Sequence, residues 1–189
     1  KRIIFNGNNY TEEWTREAES RGLINWPSSA EALSHMNDEA YVALFERHKV
    51  FTRAELNSRR ETYLCHYAKV LSIESLTMLD MVHRDILPAI LTYSAKLAGD
   101  VRIKREIGVN DKVETALCKK LSDLAEAIDT AACGLREALS RAQTAAEYRA
   151  HVWPAMHRLR SLVDSAEPLI PTKLWPYPNY SSLLFSVSE

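Results

Sequence analysis

Glycine is scarce in this chain and proline is confined. Five glycines and seven prolines occur in 189 residues, and four of the prolines, Pro168, Pro171, Pro176 and Pro178, crowd near the end. A long middle so poor in helix breakers favours helix, so the expected fold class is all-α. Cysteine is nearly absent. Cys65, Cys118 and Cys133 are odd in number, widely spaced and set in helical patterns, which implies no disulfide framework and fits small core residues of a reducing compartment. No apolar run approaches the roughly 20 residues of a membrane span, and the first residues lack the charged-then-apolar profile of a signal peptide. Net charge is lacking too. With 24 basic and 25 acidic side chains the balance is -1, so no global field draws the chain to nucleic acid or an anionic membrane, and neither is expected as a partner. A cytoplasmic location is the expectation.

The familiar signatures of local chemistry are missing as well. There is no CxxC, no Gly-rich phosphate loop, no HExxH and no GxSxG. Cys65 and His66 are adjacent, so on a helix they point about 100° apart and form no nucleophile–base dyad. His35 and His48 have no second ligand at metal spacing and read as surface or capping residues. The one constellation worth testing is Glu74, Asp80, His83 and Asp85, because a carboxylate and a histidine three residues apart share a helix face, as in helical di-iron sites. Such sites need a second carboxylate-x-x-His on a facing helix, and neither His151 nor His157 has an acidic residue three positions before it. No catalytic, cofactor-binding or metal residue is therefore assigned. These polar groups are assigned to hydrogen bonds between helices or domains.

What the chain does have is periodicity. With 46% hydrophobic residues it can fill one core. Thr52 and Glu55 make a capping box, and Leu56, Tyr63, Tyr67, Val70, Leu76, Leu79, His83, Ile86, Ile90, Tyr93 and Leu97 follow at steps mostly of three and four. This predicts one helix from Thr52 to about Leu97, roughly 70 Å long at the usual rise. The stretch from Gly99 to Gly108 reads as a charged, Gly-bounded turn. Asp111 with Glu114 opens a second helix whose seam runs Leu117, Leu121, Leu124, Ile128, Ala131, Leu135, Ala138, with Ala131, Ala132 and Gly134 small enough for a close neighbour. Thr144 and Glu147 open a third, with Tyr148, Val152, Ala155, Leu159, Leu162 and Ala166 at the same spacing. Pro88 and Pro154 fall inside these patterns and predict bent helices in preference to broken ones.

The flanks are shorter pieces. Lys1–Phe5 is an apolar, strand-like run with no sheet partner downstream, as at the start of a piece cut from something larger. Asn6–Asn9 is a turn, Thr11 caps a short helix closed by Gly22, and Ser28 and Asp38 open two more. The tail reads extended and aromatic through Leu174–Tyr180, with a last helical turn at Ser181–Phe185. The expected organisation is a single helical domain over 1–189: short helices packing on the bundle at 1–51, an antiparallel bundle of about three long helices at 52–167, and an extended Pro/aromatic tail at 168–189.

Three blocks, in order, resemble one family. Phe5-Asn6-Gly7-Asn8-Asn9-Tyr10 with Trp14, Glu17-Ala18 and Arg21-Gly22-Leu23, then Glu74 through Ala89, then Leu174-Trp175-Pro176-Tyr177-Pro178-Asn179-Tyr180 with Leu183-Leu184-Phe185, look like the C-terminal region of type III glutamine synthetase. The resemblance covers essentially the whole chain. It implies a helical C-terminal domain of an enzyme that joins ammonia to glutamate at the cost of ATP, with divalent metal, magnesium, held by carboxylates of a catalytic domain that precedes this region. None of that domain's motifs is present, so no ATP or magnesium site is expected in these residues and the piece alone is expected to be inactive. The family implies a ring-shaped homo-oligomer and a role in subunit contacts, with the catalytic domain as partner. The alternative is a stand-alone helical protein-interaction module with no enzymatic role.

Overall fold

The computed structural model describes residues 3–185, and every regular element among them is helical. Internal contacts divide the chain into two compact units, one ending at Tyr67 and the other starting at Ala68.

The first unit holds α1 (Glu12–Ser20), α2 (Ser29–Ser34), a 3-10 turn (His35–Asn37), α3 (Glu39–Arg47) and the opening turns of α4 (Arg53–Met81). Its helix ends follow local chemistry. Glu31 N–H donates to Ser28 Oγ at 3.2 Å, and Thr52 and Glu55 exchange both bonds of the box, Glu55 N–H to Thr52 Oγ1 at 3.3 Å and Thr52 N–H to Glu55 Oε2 at 2.8 Å. The Glu55 carboxyl is held below its ordinary pKa, first by the Thr52 amide and then by the Thr52 hydroxyl. Thr11 and Asp38 occupy cap positions without capping through their side chains. The Thr11 hydroxyl donates to the Asn8 carbonyl at 2.8 Å, and the Asp38 carboxylate lies 2.9 Å from His35 Nδ1. Gly22 adopts φ 70° and lets Leu23 N–H reach the Ala18 carbonyl at 2.9 Å, closing α1 as its position implies. α3 closes the same way through Lys49, a non-glycine at φ 53°. Ile3–Phe5 form no strand, in contrast to the reading of Lys1–Phe5, and Ile3 and Ile4 are exposed; Lys1 and Arg2 lie outside the described residues.

The second unit contains the rest of α4, a π turn (Val82–Ile86), α5 (Leu87–Glu106), α6 (Lys112–Arg141), α7 (Ala145–Glu147), a second π turn (Tyr148–Val152), α8 (Trp153–Ala166), a 3-10 turn (Glu167–Leu169) and α9 (Tyr180–Phe185). α6 packs against both α5 and α8. The short connections make each neighbouring pair antiparallel, as the three seams predict. Ile90, Leu121, Ile128, Leu135, Val152 and Leu159 are completely buried. Each side chain so hidden contributes roughly 1.5–3 kcal/mol relative to exposure.

Several expectations need correction. α5 does not end near Leu97 but continues through Gly99 to Glu106, so the connection is only residues 107–111. Its basic residues are helical and bound: Lys104 pairs with Glu114, and Arg105 Nε lies 2.7 Å from Asp111 Oδ2. Asp111 stands at the cap position of α6 but spends its carboxylate on Arg105 and Thr115. On α4, Leu76 and Tyr63 are exposed and Ser75 is fully buried in their place. The Ser75 hydroxyl donates to the Leu71 carbonyl at 2.7 Å, so it enters the core satisfied. Gly134 has no close neighbour among the described residues; a Cβ there would meet none of them within 4 Å.

Neither interior proline interrupts its helix. Pro88 and Pro154 each sit second in the α segment that follows a π turn. Leu87 N–H donates to the Val82 carbonyl and Trp153 N–H to the Tyr148 carbonyl, five residues back in each case. A proline lacks a donor and its ring crowds the carbonyl four residues earlier, so widening the preceding turn relieves the conflict. The tail packs as expected. Ile170 is buried, and Leu169, Leu174, Trp175 and Tyr177 rest on the core, whereas Leu183, Leu184 and Phe185 are exposed.

Candidate functional site

The first π turn gathers the polar groups singled out by sequence, and the structure separates their tasks. His83 Nδ1 donates to the Leu79 carbonyl at 2.8 Å, and its Nε2 lies 3.8 Å from Asp129 Oδ1 on α6. Asp80 is exposed and meets Arg84 at 3.3 Å, one helical turn away. Asp85 turns elsewhere and accepts the Tyr177 hydroxyl at 2.8 Å, tying the tail to the turn across 92 residues of sequence. Burial and this carboxylate push the Tyr177 phenol up to about 12. Glu74 is exposed and reaches none of the other three; it lines a groove of about 450 Å³ with Ile73, Met78, Trp153, Met156 and His157. No carboxylate–histidine cluster assembles, and among the described residues no three His, Cys, Asp or Glu side chains gather to hold a metal ion.

Two arrangements escaped the sequence reading. A small polar contact joins α5 to α6, with Ser94 Oγ 3.6 Å from Cys118 Sγ and 3.4 Å from Ser122 Oγ. An open cleft of about 740 Å³ lies between α6 and the second π turn, floored by Ala131, Gly134, Ala138 and Ala155 and rimmed by His151 and Arg158. The small residues were legible on α6, but their opposition to the His151 turn depends on packing. Beside it, Arg149 stacks over the Trp153 ring at 4.1 Å, and Trp153 meets His157 at 3.9 Å.

Carboxylates near helix openings complete the electrostatics. Glu147 accepts from the Gln143 and Thr144 amides at 2.8 and 2.9 Å and is held below its ordinary pKa by them. Lys104 does the same to Glu114, and Arg105, then Thr115, to Asp111. Each named charge therefore fixes a helix end or a helix pair.

Fold and polar groups together define a helical domain whose side-chain chemistry fastens helices. Comparison with known proteins supplies the family. The family model for the glutamine synthetase C-terminal domain matches residues 1–105, and the chain belongs to that family. It is 38% identical over 200 residues to a glutamine synthetase of Butyrivibrio fibrisolvens, a match covering 99% of this chain and 28% of that protein. A type-3 glutamine synthetase of Dictyostelium discoideum is 29% identical over 197 residues, and a glutamine synthetase of Bacteroides fragilis (strain YCH46) 30% over 197, each covering 97% of this chain and 27% of the relative. The chain thus spans little more than a quarter of the length of the relatives it matches. The resemblance to type III glutamine synthetase read from the three sequence blocks is borne out.

Proposed function

We propose that this chain is a non-catalytic, structural domain of a glutamine synthetase, supporting the assembly of an enzyme that forms glutamine from glutamate and ammonia with ATP. The observation that carries this reading is the employment of the polar groups on and just before the π turn. Of the four residues that most resembled a site, His83 and Asp85 are bound to a backbone carbonyl and to the tail's Tyr177 hydroxyl, Asp80 is paired with Arg84, and Glu74 lines an open groove. ATP and magnesium belong, on this reading, to the part of the synthetase outside these residues, and that part is the domain's principal partner. Support of a homo-oligomer, a place in nitrogen metabolism and a cytoplasmic location follow from the same reading. No helix among the described residues is long and apolar enough to cross a membrane.

The experiment is a paired assay with glutamate, ammonia, ATP and magnesium. The full-length polypeptide that contains this chain is expected to form glutamine, and the 189-residue chain alone to form none. Glutamine made by the chain alone would sink the assignment.

A further inference from the structure

The first unit hides little of its apolar surface. Among residues 3–67 only Ala18, Ala30, Val42 and Leu56 are buried apolar residues, and none of the Phe, Trp or Tyr side chains is. Large rings normally supply much of the buried area of a small unit, and here Trp26, Tyr41 and Phe45 are only half-buried while Tyr10 and Tyr63 are exposed. They also frame a hollow. Trp26 stacks on His35 with ring centroids 4.3 Å apart, Tyr41 meets Trp26 edge-on at 6.1 Å, and Leu33, Met36 and Phe45 complete an apolar hollow of about 240 Å³. Leu44, 44% exposed, shares the α3 face of Tyr41, and Ile24, 63% exposed, immediately precedes this region in the chain.

We propose that this aromatic box, with Ile24 and Leu44 beside it, is the surface on which the remainder of the synthetase polypeptide docks, placing an apolar side chain in the box. The inference rests on the reading of this chain as a domain of a larger glutamine synthetase. Three observations favour that occupant. The relatives extend over more than three times the length matched here, and the family description sets this region at their C-terminal side, so residues 3–67 are the part nearest in sequence to the rest. The family match, 1–105, contains all of this unit and none of α6 to α8. The hollow itself is lined by Ala32, Leu33, Met36 and aromatic rings, with His35 its one titratable side chain besides Tyr41 and that already turned to Asp38, so an apolar side chain suits it better than an anion.

Hydroxyl-radical footprinting by mass spectrometry compares the full-length polypeptide with the 189-residue chain, alongside glutamine formation and mass by light scattering. Trp26, Tyr41 and Leu44 are expected to be labelled in the short chain and to lose labelling in the full-length protein, while Val113, exposed in the second unit, serves as reference. Leu44→Glu in the full-length protein is expected to restore labelling of Trp26 and Tyr41 and lower its unfolding temperature. If the full-length protein forms glutamine and these residues stay labelled, the docking surface lies elsewhere and the structural-domain reading stands. If it forms no glutamine, both fall. If the short chain already protects the box and runs at twice its mass, a second copy occupies the surface and the proposal is overturned.

Discussion

Tyr177 and Asp85 show how much one hydrogen bond can organise. The tail from Ile170 onward reaches the core through apolar contacts that tolerate sliding, and the directional bond to the π turn sets their register. Tyr177→Phe keeps the ring and loses the bond, and because the pair is partly solvated the expected cost is about 1 kcal/mol in urea unfolding. The phenol's pKa is raised, so its contribution is complete below the ordinary tyrosine value near 10 and is lost as pH rises toward 12. Ultraviolet titration of the folded protein should show a late phenolate that the Phe variant lacks. Nothing local in the sequence announces this pair; the aromatic tail was legible as something that packs, and its anchor was not.

At the scale of the helix, legibility followed amphipathicity. The seams of α6 and α8 were readable because their apolar residues occupy one stripe and their polar residues the rest, as at Leu121, Ile128, Leu135 and Val152, Leu159, Ala166. α4 misled because apolar residues surround it: Ile73 and Leu76 face water while Ser75, carrying its own carbonyl partner, faces the core. Sequence patterning ranks leucine above serine for the interior, and a hydroxyl satisfied four residues back removes the reason for that ranking. Truncation separates the two faces. Ile128→Ala is expected to cost about 2–5 kcal/mol, and Leu76→Ala less than about 0.5 kcal/mol, measured by denaturant midpoints at constant slope. The candidate constellation was legible as residues and as their shared helix; the divergence of Asp85 and His83 toward different partners required the tail and α6.

For the whole molecule, the all-α class and the family could be read from composition and from three ordered blocks, while the division at Tyr67 within α4 had no marker in the sequence. Carboxylates at the openings of α4, α6 and α7 also set the response to acid. Glu55, Asp111, Glu114 and Glu147 all have depressed pKa values, so the stability they lend is present above about pH 4 and is lost as pH falls through their folded values. Thermal unfolding followed by circular dichroism should therefore show a midpoint falling below pH 4. Glu55→Gln combined with Glu147→Gln should flatten part of that dependence, since each removes a carboxylate whose depressed pKa contributes to it.

The paired π turns also say something about chain length. A π turn is one residue more than the helix requires, so deleting Arg84 or Ala150 offers each helix a regular path with its flanking faces kept in phase. Pro88 and Pro154 close that route, because in the shortened helix each ring would press on the carbonyl one regular turn back, at a cost of about 3 kcal/mol. The prolines act as ratchets on an inserted residue. They admit the longer chain and resist its return to the shorter one.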